Sequence, residues 1–141
     1  MLSKDLVNEK LELIKEYLEE LNSIINMDQE EILANPVNLR ALERNFQLIV
    51  DEILDINLHF IRELELKPPS DFQNTFEILG TADILPLEFA AKIAPVVGLR
   101  NRIVHRYEDI DRKFFIGQVK KEYGDFIEYI RLISAYFKPK D

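Results

Sequence analysis

Apolar side chains recur along this chain at alternating steps of three and four residues, and no apolar–polar alternation runs longer than four residues. Val7, Leu11, Ile14, Leu18, Leu21 and Ile25 form one such stripe. Leu39, Leu42, Phe46, Ile49, Ile53, Ile56 and Phe60 form a second, and Phe115, Val119, Tyr123, Phe126, Ile130, Ile133 and Phe137 a third. A helix turns about 100° per residue, so each set lines one face of a helix. The sequence therefore predicts an all-α fold, an antiparallel bundle of four long helices plus one short helix. With 141 residues, 47% of them apolar, a single domain spanning residues 1–141 is expected to bury its own core.

Punctuation residues place the ends. The first helix should run from about Ser3 to Asn26, with residues 27–34 a connector holding at most a helical turn. Asn35 caps and Pro36 opens the second, which Lys67-Pro68-Pro69 stops near Leu66. Leu48, Leu54, Leu58 and Ile61 widen its apolar arc, so it should sit centrally. Ser70 is expected to cap a short helix, Asp71 to Leu79, that Gly80 closes. Pro86 opens the next, with Pro95 forcing a kink or break near Ala91. Glu108-Asp109-Ile110-Asp111 ends it, and the last helix runs from about Asp111 to Phe137.

The helix after Pro86 carries the polar residues that stand out. Phe89, Ile93, Val96, Arg100, Val104 and Tyr107 share one face, which puts Arg100 in a slot where the pattern asks for an apolar side chain. A buried unpaired guanidinium costs several kcal/mol, so Arg100 must meet an anion, a carboxylate or an open cleft. Leu87, Ala91, Ala94, Gly98, Asn101 and His105 share a second face, small at its start and hydrogen-bonding at its end. Small residues invite a close helical neighbour, from this chain or from a second subunit. Arg100 and His105 stand about 140° apart on a straight helix, so either the long Arg100 curls toward the His105 side or the partner of each comes from a second subunit across a two-fold axis.

Composition removes many alternatives. The absence of cysteine excludes a disulfide framework, a thiolate zinc site and a cysteine nucleophile. Two histidines make a zinc site a poor reading, and no metal or cofactor is expected. Asp51, Glu52 and Asp55 are close in sequence, but Asp51 and Asp55 fall among positions expected to be exposed. His59, beside Phe60 on the central helix, reads as structural. No apolar run is long enough to span a bilayer, and the early acidic residue Asp5 argues against a secretion signal. A cytoplasmic protein is expected. The net charge of −8 disfavours indiscriminate nucleic-acid binding, leaving a local basic patch as the route to RNA.

Arg100-Asn101-Arg102-Ile103-Val104-His105-Arg106-Tyr107 resembles the Arg-x4-His-x-Tyr signature of the HepT-like toxins of the HEPN superfamily. Arg44-Asn45-Phe46-Gln47 leading to Ile53-Leu54-Asp55-Ile56 is similar to the family's second helix. Pro69-Ser70-Asp71-Phe72, followed by Phe76-Glu77-Ile78-Leu79, is similar to its short third element, and Tyr107 to Asp111 to its exit from the motif. The likeness covers roughly residues 5 to 137. Two departures are Pro95 and Gly98 ahead of the motif and Arg106 where many relatives carry an acidic or small residue; neither removes a catalytic group.

The resemblance implies a homodimer with both motifs facing a shared cleft, acting as a metal-independent endoribonuclease toxin on RNA. It implies a partner, a cognate minimal nucleotidyltransferase antitoxin that silences the toxin by attaching AMP to Tyr107. Arg100 and His105 would then be catalytic, with Asn101 supporting them and Arg102 and Arg106 available to RNA. An imidazole titrates near about pH 6.5 and suits both proton roles. Two other readings stand beside it: a non-catalytic helical module that binds nucleotide or docks on a nucleotidyltransferase, and a structural dimer in which a carboxylate satisfies Arg100.

Overall fold

The computed structural model describes residues 1–105 and 110–139. Its helices are α1 (Lys4–Ile25), α2 (Gln29–Ala34), α3 (Pro36–Glu63), α4 (Asn74–Thr81), α5 (Leu87–Ile93), α6 (Val96–His105) and α7 (Arg112–Tyr136), with no strand among the described residues. The all-α expectation holds, and the connector after Asn26 contains the short helix α2. Three N-termini form as the residue types dictate. The side chains of Ser3, Asn35 and Asp111 accept from the backbone N–H of Leu6, Asn38 and Phe114, respectively.

The central helix α3 buries Phe46, Ile49, Val50, Ile53, Ile56 and Phe60 completely. It packs antiparallel to α1: Lys10 Nζ lies 3.1 Å from both Glu52 Oε2 and Asp55 Oδ2, and the N-terminal amine reaches Glu63. Helix α7 runs in the same direction as α3, since the ring of Phe46 meets those of Phe115 and Phe126 while that of Phe60 meets those of Tyr136 and Phe137, edge-on or tilted. The α4–α6 segment returns the chain between them and makes that direction possible.

Helix α4 departs from the sequence reading. It starts at Asn74, where Asp71 Oδ1 accepts from the Asn74 N–H at 2.7 Å, so Ser70 is not its cap. Gly80 lies inside it rather than closing it. A β-carbon there would stand 3.1 Å from both Ala90 Cβ and Leu87 Cδ2, so the glycine is needed for close approach to α5. Closure falls to Asp83 at φ 61°, with Ile84 N–H donating to Leu79 O and Asp83 N–H to Gly80 O. Glu65, at φ 55°, closes α3 in the same way ahead of the prolines. Neither position signals itself, because a left-handed cap normally takes Gly or Asn.

Two buried polar arrangements fix the packing. Tyr129, fully buried although outside the predicted stripe, donates to Asn57 Oδ1 at 2.6 Å. Asn57 Nδ2 donates to Thr75 Oγ1 at 3.0 Å, and Thr75 Oγ1 donates to the Phe72 carbonyl at 2.6 Å. The relay ties α7 to α3 and α4 with its polar groups satisfied. His59 accepts from the Ser3 N–H at Nε2, which requires a neutral ring; burial, its largest influence, lowers its pKa accordingly. The structural reading of His59 is what the molecule uses.

Where α7 faces α5, Asp125 pairs with Lys92 at 3.1 Å, and the neighbouring Glu122 is buried. Burial, then the hydrogen bond to Asp125 and its charge, push Glu122 from 4.5 up to about 7. Its folded-state value lies above its unfolded one, so its stabilising contribution is full below about pH 4.5 and is lost as pH rises through about 7. Urea unfolding should show wild type losing on the order of 1–2 kcal/mol relative to Glu122→Gln between pH 5 and 8, the full shift being reduced by partial solvent screening of the pair. A gap that stays constant over that range would overturn the assignment.

Candidate functional site

Proline sets the local geometry of the motif. The break between α5 and α6 falls at Ala94 and Pro95, one turn later than the sequence predicts. It resets the helical phase. In α6 the core-facing residues are Val96, Val97, Leu99 and Ile103, while Val104 is 39% exposed. Val104 is therefore not part of a buried stripe, contrary to the sequence expectation, and Arg100 sits at the edge of the core face rather than in its middle.

Arg100 has found its carboxylate. Its Nε donates to Asp51 Oδ1 on α3 at 2.8 Å, and its Nη1 donates to Asn101 Oδ1 at 3.1 Å. Both members of the ion pair are largely sheltered, with side chains 20% and 32% exposed. Asp51 thus belongs at the site and is not the open surface residue the sequence led us to expect. The signal was present in two halves: an arginine at an apolar position demanding an anion, and an acid adjoining the apolar stripe of the central helix. Nothing in one dimension joins residues 51 and 100.

The three acids grouped by sequence are divided between two cations. Glu52 and Asp55 hold Lys10, and Asp51 holds Arg100. Among the described residues no cluster of three or more His, Asp or Glu side chains is arranged to hold a metal ion.

The second face of the motif helix is mostly open. Ala91, Asn101 and His105 are exposed, Leu87 is exposed, and Ala94 and Gly98 are half-buried. A β-carbon on Gly98 would meet nothing within 4 Å. The close neighbour predicted for this stripe is present at its start, where Gly80 of α4 approaches Leu87, and from Gly98 to His105 the stripe is open among the described residues. Arg102 is exposed beside it, so Arg100, Arg102 and His105 concentrate cationic or proton-exchanging groups on one short helix of an acidic protein. Arg106 and Tyr107 lie outside the described residues.

These elements combine an anion-binding guanidinium, held on two sides, with a solvent-facing imidazole one and a half turns later. A guanidinium can hold a phosphate, and an exposed imidazole can move a proton.

Comparison with known proteins bears on the same segment. Residues 14–133 match the family described as Ribonuclease HepT-like. The tRNA nuclease HepT of Aphanizomenon flos-aquae is 35% identical over 132 residues, 93% of this chain and 89% of that protein. A putative RNase of Archaeoglobus fulgidus is 24% identical, covering 84% of this chain and 90% of its own length. Among solved structures, the tri-AMPylated Shewanella oneidensis HEPN toxin in complex with MNT antitoxin superposes with a TM-score of 0.86. It is 22% identical and covers 94% of this chain and 99% of its own, which establishes the shared fold.

Proposed function

The chain belongs to the Ribonuclease HepT-like family, and from that premise we propose that it is a metal-independent endoribonuclease, the toxin of a pair whose antitoxin is a minimal nucleotidyltransferase. The observation that carries the proposal is the guanidinium of Arg100, fixed by Asp51 and Asn101, on the same short helix as the exposed His105.

Cleavage would proceed by attack of a ribose 2′-hydroxyl on the adjacent phosphorus. One imidazole takes the hydroxyl proton as the P–O2′ bond forms. A second donates a proton to the departing 5′-oxygen as the P–O5′ bond breaks, leaving a 2′,3′-cyclic phosphate. Each chain has one His105, so a homodimer joined near the open Gly98–His105 face would provide both. Arg100 would hold the phosphate and offset the charge that builds on it, while Arg102 and Arg106 attract the backbone of the RNA.

Regulation would act through Tyr107. The Shewanella oneidensis relative is an AMPylated toxin bound to its MNT antitoxin. The same modification at Tyr107, two residues beyond His105, would bring a bulky anion to the phosphate site and block it by volume and charge. The structural-dimer reading correctly anticipates a carboxylate partner for Arg100, but it also expects an occluded His105, and His105 is exposed.

His105→Ala should lose at least about 100-fold in cleavage of bulk tRNA while retaining its helical circular dichroism; retained cleavage would remove His105 from the mechanism. Intact mass after co-expression with the nucleotidyltransferase should rise by multiples of AMP that map to Tyr107, and a map to any other residue would refute this regulation. Gly98→Ala should stabilise the chain at low concentration by about 1 kcal/mol through helix propensity yet weaken self-association in sedimentation. Unchanged self-association would move the subunit interface off this face.

A further inference from the structure

The ion pair between α3 and α6 carries a consequence for catalysis. Arg100 lies on a ten-residue helix whose outer face is open, whereas Asp51 lies on the buried helix α3 between Val50 and Ile53, both fully buried. A guanidinium has five N–H donors in one plane. The contact of Nε with Asp51 and of Nη1 with Asn101 fixes that plane from two sides and uses two donors. The remaining three form a fork whose direction is referenced to the rigid core rather than to the short helix. The aspartate also sets a negative charge against the same cation that must hold a phosphate.

We propose that Asp51 is a positioning residue for phosphodiester cleavage: it aims the free fork of Arg100 at the scissile phosphate and tempers its charge, so that orientation is gained and ground-state binding is not. The inference rests on the ribonuclease reading for its chemistry and on the ion pair for its geometry. A side chain that only stabilised the fold would, when removed, weaken binding and cleavage together. One that aims and tempers Arg100 separates them. Without it the cation binds anions more tightly but is poorly directed, and a misplacement of about 1 Å costs on the order of 100-fold in rate.

The test uses the full chain with two probes, bulk tRNA for cleavage and a fluorescein-labelled oligo(dU), which lacks the 2′-hydroxyl, for affinity. Asp51→Ala should cut the single-turnover cleavage rate by about 10- to 100-fold while the dissociation constant for oligo(dU) falls. Asp51→Asn, whose amide oxygen can still accept from Nε, should recover most of the rate. In an Arg100→Ala background, Asp51→Ala should change neither quantity further.

Three results would overturn the proposal: Asp51→Ala within twofold of wild type in both rate and affinity, parallel loss of both without recovery in Asp51→Asn, or an undiminished effect of Asp51→Ala when Arg100 is absent. Wild-type protein that fails to cleave tRNA would refute the ribonuclease reading instead. The oligo(dU) arm would then decide alone: tempering predicts tighter binding by Asp51→Ala only while Arg100 is present, and any other pattern rejects it.

Discussion

Helix α3 lies at the centre of the bundle, and five of its polar side chains determine how its neighbours dock. Glu52 and Asp55 bind Lys10 and set the height of α1. His59 receives the N–H of Ser3 and fixes where α1 begins. Asn57 joins Tyr129 to Thr75 and so registers α7 and α4 on the same turn. Asp51 takes Arg100 and seats α6. Apolar burial supplies the driving force but is indifferent to sliding by a turn. The polar contacts are not, because a mismatched partner would leave a buried group without a hydrogen bond.

That division of labour explains what the sequence discloses. The stripes of α1, α3 and α7 follow from local spacing, and the caps Ser3, Asn35 and Asp111 from residue type. Gly80 misleads because a glycine can serve either a left-handed turn or a close contact, and only the position of Ala90 tells which. Tyr129 misleads differently. It falls outside the stripe through Phe126 and Ile130, yet it is fully buried because Asn57 awaits its hydroxyl.

At the site, the residue types were legible and their partners were not. An arginine in an apolar pattern implies an anion, and residues 100 to 107 carry the resemblance to the family that residues 14–133 match. The identity of the anion depends on how α6 crosses α3, which Pro95 alters by breaking the helix and rotating its continuation. Val104 faces outward because the buried face of α6 centres on Val96, Leu99 and Ile103, about a quarter turn away.

The parallel run of α3 and α7 has a consequence for synthesis. Contacts between α1 and α3 close over the first 63 residues, and Arg100 can reach Asp51 once α6 has emerged. The aromatic rings of α7 come last, and Tyr129 meets Asn57 across 72 residues of chain. During translation the nascent chain therefore carries its motif before the helix that seals Phe46, Phe60 and Phe76 is available. Loop closure over so long a span is slow compared with forming the α1–α3 hairpin, so vulnerability to proteases and to aggregation is concentrated in that final interval.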